Sequence, residues 1–201
     1  MKRECVEKFR NENKLLRIYQ DKLNESPDQW GDDGRFLVFD HRDFCVKRKE
    51  FNPRDIYDNG EKVKGYHVFR CYAYIHSGVA LSVGPNGRWP DQRWDVSFKG
   101  FWLIKREKGT WTIEQAKKVA EDLCKTWNQY LSGDVYGFEC IEIDRDKVRK
   151  YMELYNIERE EDINEDDMME LYVKGTFDSC WGFYGRNWEE NGLFDHAGFN
   201  L

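Results

Sequence analysis

The stretch Gly65–Ile75 alternates residue by residue, and this period of two commits the chain to a half-buried β-strand. Tyr66, Val68, Arg70, Tyr72 and Tyr74 line one face. His67, Phe69, Cys71, Ala73 and Ile75 line the other, which is the more apolar. The turn residues His76-Ser77-Gly78 follow, then a second strand, Val79–Val83. Arg35–Phe39, Phe44–Arg48 and Val135–Ile143 read as further strands. Trp94–Lys105 reads as a strand pair or one bent strand with a break at Gly100. Helical spacing predicts a long helix over Ile113–Leu131, opened by a Thr112/Gln115 capping box and stopped at Gly133. It also predicts helices over 2–23, from Val6, Phe9, Leu16, Tyr19 and Leu23, and over 146–157. Met169–Gly175 reads as a last strand, and Asn187–Leu201 as an irregular tail. Because strands come in runs and not in alternation with helices, the expected class is α+β. The expected architecture is a single domain over 1–201. An antiparallel sheet of about five to seven strands packs against one long helix, with an N-terminal helix and an acidic helical insertion at 144–170.

Only 40% of the residues are apolar and the mean hydropathy is −0.88, so the core must lean on the 8 Trp, 11 Tyr and 13 Phe. That aromatic content excludes a disordered chain. The 6 cysteines, at 5, 45, 71, 124, 140 and 180, lack the close pairing of zinc ribbons or redox sites, which predicts free thiols in a reduced, cytoplasmic protein. No signal peptide or apolar run of membrane-spanning length is visible. The net charge of −6 is uneven: 19 Lys/Arg against 16 Asp/Glu in residues 1–100, then 13 against 22 in 101–201. An acidic balance argues against a dedicated nucleic-acid binder and suits a basic protein partner.

Four groups of residues carry possible chemistry. Asp178-Ser179-Cys180-Trp181-Gly182-Phe183-Tyr184-Gly185 sets a carboxylate, a hydroxyl and a thiol among rings and glycines. Cys180 or Asp178 with His76 and Asp95 would form the catalytic set of an enzyme, with His41, His67 and His196 as other bases. The competing reading makes Asp178 and Ser179 a turn and sends Cys180 and Trp181 into the core. Asp40, His41 and Asp43, and the pair Asp195-His196, offer metal-ligand types without ligand spacing, so neither metal nor cofactor is expected. Trp89, Trp94, Trp102 and Trp111 interleave with Arg88, Arg93, Lys99, Lys105 and Arg106. That pattern suits stacking on single-stranded nucleic acid, or core and cation–π packing. Finally, nine acids lie in 153–170, among them Glu158, Glu160, Glu161, Asp162, Glu165, Asp166 and Asp167. They form either a solvated face or a mimic of phosphates that occupies a basic groove.

Several segments together carry a resemblance. They are Tyr74–Val79, Trp94-Asp95 with Gly100, Tyr130-Leu131-Ser132-Gly133-Asp134-Val135-Tyr136-Gly137, Asp178–Gly185 and Glu190-Asn191-Gly192. The chain resembles a family of uncharacterised proteins carried by phages, plasmids and conjugative elements of gut-type and Gram-positive bacteria. The likeness covers about residues 66–195. It departs from that family's Trp-Asp-Ser-Gly-type motif at Trp94–Gly100, and residues 1–60 and the acidic segment are particular to this chain. The resemblance implies a mobile-element accessory protein in the host bacterial cytoplasm. Its expected partner is a host defence protein or ribonucleoprotein complex, which it binds and inhibits in an anti-CRISPR-like manner without catalysis. The alternatives are a small enzyme acting on a nucleotide or nucleic acid, and a single-stranded nucleic-acid-binding protein.

Overall fold

The structure is a computed structural model describing residues 5–29, 33–85, 89, 92–106 and 112–200, without the side chains of Gln92, Arg93 and Glu165. In chain order it contains strands β1 (Cys5–Arg10), β2 (Lys14–Gln20), β3 (Arg35–Asp40) and β4 (Cys45–Val46), helix α1 (Pro53–Asp58), and strands β5 (Tyr66–Ile75) and β6 (Val79–Val83). The short helix α2 (Gln92–Asp95), strand β7 (Val96–Lys105), helix α3 (Ile113–Ser132) and strand β8 (Val135–Glu142) follow. Helices α4 (Arg145–Tyr155) and α5 (Glu165–Glu170), strand β9 (Asp178–Tyr184) and helix α6 (Leu193–Ala197) complete the chain. The class is α+β. The strands divide between two antiparallel sheets instead of forming one, and the chain divides into two compact units, Met1–Asn24 with Gly133–Leu201, and Glu25–Ser132.

The first unit holds the sheet β1-β2-β8-β9. Where a helix was expected over 2–23, the described residues form a hairpin. Asn11 builds its corner, its side chain accepting from the backbone N–H of Asn13 at 3.0 Å and Lys14 at 2.8 Å. The helical spacing misleads because β2 is buried on both faces. Leu16 and Ile18 pack with Phe138, Phe183, Trp188, Leu193 and Phe194, while Leu15 packs on the opposite side with Ile141, Val148, Ile163 and Met168. The tail therefore is not irregular: α6 closes the first core, and the Lys14 ammonium donates to the carbonyls of Ala197 and Gly198 at its end. The acidic insertion closes the second core with its own apolar residues, Ile163 and Met168. Met169–Gly175 is not a strand; Tyr172 makes only an isolated bridge to Ile143. The last strand is the Asp178–Tyr184 segment itself.

The second unit holds the sheet β4-β3-β7-β5-β6. The 20-residue helix α3 covers one face through Ala116, Ala120, Cys124 and Trp127, which meet Leu37, Phe39, Cys71, Ala73, Leu81, Trp102 and Ile104. Its start is the expected capping box, with Thr112 N–H donating to Gln115 Oε1 at 2.8 Å and Gln115 N–H to Thr112 Oγ1 at 3.2 Å. On the opposite face, Ile56 of α1 seals Phe36, Val38, Phe101 and Leu103.

Burial leaves a pH signature in this core. Desolvation, with the neighbouring Cys124 thiol adding to it, pushes the Cys71 thiol well above its ordinary value of 9.0, and desolvation pushes Cys124 up to about 12. A raised folded-state value favours the protonated form. This contribution is therefore complete below pH 9 and is lost as pH climbs from 9 towards 12. Urea midpoints are expected to hold steady from pH 7 to 9 and fall above it, with a shallower fall in Cys124→Ala. An equal fall in that variant would remove the thiols as the cause.

Candidate binding surface

The outer face of the second sheet is only partly covered by α1, and a change of register shapes the rest. Between β5 and β7 the pairing runs Cys71 to Gly100, then Tyr72 to Phe98, so Lys99 is the extra residue of a β-bulge. The bulge puts Phe98 and Phe101 on the same face, edge to face at 5.5 Å. Phe98 meets Tyr72 at 5.2 Å and Tyr57 of α1 at 6.0 Å, with the Arg70 guanidinium 4.7 Å above its ring. Glu61 grips that guanidinium through both carboxylate oxygens, at 2.6 and 3.0 Å. Farther along β5, Tyr74 stacks with Trp89 at 5.8 Å and 26°, and lies 6.3 Å from the His76 ring. The Asp95 carboxylate is 3.5 Å from His76 Nδ1, and Trp94 beside it is 86% exposed.

Of the candidate residues named above, this region gathers His76, Asp95, Trp89, Trp94 and Lys99. Arg93 lies in α2, its side chain outside the described residues, as are Arg88 and Trp111. Trp102 is core: fully buried, its indole N–H donates to the Ser82 carbonyl at 3.1 Å. Tyr57, Tyr72 and Phe98 were not singled out as surface candidates. For Tyr72 the available signal was the aromatic outer face of Gly65–Ile75 itself.

Asp178 and Cys180 belong to the other unit, in β9 opposite Cys140 and Phe138. Cys180 packs against the Leu16/Phe138/Phe183 core, and its thiol points at the Trp181 carbonyl, 3.9 Å away. His196 meets the Phe183 ring at 5.4 Å. Near β4, Asp40 accepts from the Cys45 thiol at 3.4 Å, and His41 Nδ1 accepts from the Asp43 N–H at 3.2 Å. Among the described residues no cluster of three or more His, Cys, Asp or Glu is arranged to hold a metal.

Four of the nine acids of 153–170, Glu160, Asp162, Asp166 and Asp167, have partners within their own unit. Glu160 binds Arg10 and accepts from Arg145 at 2.8 and 2.9 Å. Asp166 accepts from the buried Arg17 at 3.2 Å, and Asp162 pairs with Arg159 at 3.0 Å. Asp167 accepts from Tyr151 at 2.5 Å; that bond, with desolvation adding, pushes the tyrosine's pKa up to about 12. Glu158 and Glu161 are exposed, and the side chain of Glu165 lies outside the described residues. These pairs join the insertion to β1 and β2 and tie its own segments together.

The charge also divides along the structural boundary. Residues 25–132 carry 18 Lys/Arg and 16 Asp/Glu, whereas the remainder carries 14 and 22. Among the described residues no helix is long and apolar enough to cross a membrane. No family model, curated protein or solved structure matches the chain.

Proposed function

We propose that the chain is a non-enzymatic binding protein, an accessory factor of a phage or mobile element. It acts in the host cytoplasm by occupying a host defence nuclease complex. The observation that carries the binding half of this reading is Trp94, 86% exposed beside the Tyr74–Trp89 stack and the His76–Asp95 pair. Large rings presented to solvent are the residues that dominate protein–protein binding energies. The mobile-element half rests on the sequence resemblance. The acids of 153–170 support the reading less than the rings do, because Glu160, Asp162, Asp166 and Asp167 already have partners within their own unit.

Purified defence ribonucleoprotein complexes, immobilised and titrated with the protein, test this reading. Trp94→Ala is expected to cost about 2 kcal/mol of affinity, roughly thirtyfold, with the melting temperature unmoved. Glu158→Gln with Glu161→Gln is expected to change little. The reverse ranking would return the interface to the acidic insertion. A second reading, single-stranded nucleic-acid binding at the same rings, is favoured by the Tyr74–Trp89 stack and the mildly basic balance of residues 25–132. Its sign is oligonucleotide affinity that falls steeply with salt.

A further inference from the structure

The bulge at Lys99 does more than realign rings: it borders a cavity. Asp40, Pro53, Arg54, Tyr57, Phe98, Lys99 and Phe101 line a half-open cavity of about 450 Å³ on the outer face of the second sheet. That volume is in the range of small-ligand sites. Phe98 and Phe101 share this face because Lys99 is an extra residue between them in β7, and Lys99 itself lines the cavity. Across the opening, α1 contributes Arg54 and Tyr57.

We infer that this cavity binds a small planar anion of the nucleoside monophosphate class. Three observations support the assignment. First, the lining is aromatic, with Tyr57 and Phe101 both meeting Phe98, and rings favour a planar guest. The Phe98 ring is also held from a further side by Arg70, itself fixed by Glu61, so this ring is already positioned before binding. Second, two cations face the opening. The Arg54 and Lys99 side chains are exposed, and neither forms an ion pair or side-chain hydrogen bond among the described residues. An arginine fork and a lysine point charge together suit a phosphate group. Third, Asp40 is the one carboxylate among the described residues of the lining, and it accepts from the Cys45 thiol at 3.4 Å. A carboxylate has acceptor capacity left for ribose hydroxyls or an exocyclic amine. A fatty acid would use the cations but not the carboxylate; a neutral ring would leave both cations idle. This inference does not rest on docking to a defence complex, because Trp89 and Trp94 are not part of the lining.

The test is calorimetric titration of the full chain, at low salt and without any protein partner, with adenosine and uridine 5′-monophosphates. Inorganic phosphate and adenosine serve as the half-ligands. Saturable binding of at least one nucleotide is expected, tighter than either half-ligand. Arg54→Glu with Lys99→Glu is expected to weaken it about tenfold or more, and Tyr57→Ala severalfold. The same reversals at Lys117 and Lys118, on α3, should leave it unchanged, and melting temperatures verify folding throughout. Absence of saturation for both nucleotides at about 5 mM would overturn the proposal. So would affinity that survives the Arg54/Lys99 reversal, or phosphate alone binding as tightly as the nucleotide.

Discussion

Gly137→Ala is expected to destabilise the β8–β9 unit by about 3 kcal/mol, on the order of 10 °C in melting temperature. Gly137 pairs with Trp181, and the indole ring lies over the glycine where a side chain would stand. An added methyl would overlap that ring and would also approach the Cys180 carbonyl oxygen to 2.8 Å. The ring can swing away; the backbone oxygen cannot move without breaking the ladder that joins β8 to β9. Trp181→Ala should therefore relieve only part of the cost, giving a double variant that loses less than the sum of the two single losses. Thermal melts of the four proteins check this. A Gly137→Ala protein within about 0.5 kcal/mol of the parent would mean that the register between these strands is wrong.

This pairing also explains why two strings of the sequence stand out. Tyr130–Gly137 ends in the first half of β8, and Asp178–Gly185 is β9 with the glycine that follows it. Their register shifts between Tyr136 and Gly137, with Phe183 opposite the first and Trp181 opposite the second, so Gly182 is an extra residue at φ +89°. A glycine in that conformation forms the bulge that lets Trp181 and Phe183 both meet β8. Distinctive residues here serve strand pairing, and the thiol and carboxylate among them are neighbours of that pairing.

How legible each part was follows from the range of the interactions that fix it. β5, β6 and α3 were readable because their periods are clean and their ends carry turn and capping residues, such as Thr112 and Gln115. The N-terminal hairpin was not, because a strand buried on both faces has no alternation to show, and the apolar spacing left over imitates a helix. Asp178 and Ser179 read as a turn because such residues so often cap turns, whereas both open β9. Trp89 and Trp94 could be chosen from local composition alone. Tyr57 and Phe98 could not, since they come together only through the Lys99 bulge and the docking of α1. Nor could the ties of the acidic insertion, which link Arg10 to Glu160 and Arg17 to Asp166 across some 150 residues of chain.

Asn128→Leu is expected to cost about 2–3 kcal/mol and to make the protein associate through an exposed strand edge. β6 is the last strand of its sheet, so its outward backbone groups have no strand to pair with. Asn128 on α3 takes that place for Leu81, which is 3% exposed: its Oδ1 accepts from the Leu81 N–H at 2.7 Å, and its Nδ2 donates to the Leu81 carbonyl at 2.9 Å. One amide side chain thus imitates the neighbouring strand at this edge. Leucine fills a similar volume but leaves the N–H without an acceptor, while the carbonyl keeps the Cys124 thiol, 3.2 Å away. Asn128→Asp separates the two halves of the effect. It retains an acceptor for the N–H but sets a carboxylate oxygen against the Leu81 carbonyl, so it should also destabilise, and more strongly as pH rises through the carboxylate range. Urea unfolding should give a lower midpoint with an unchanged slope for the leucine variant. Sedimentation at increasing concentration should reveal its self-association. A leucine variant as stable and as monodisperse as the parent would show that the edge of β6 is protected by something other than Asn128.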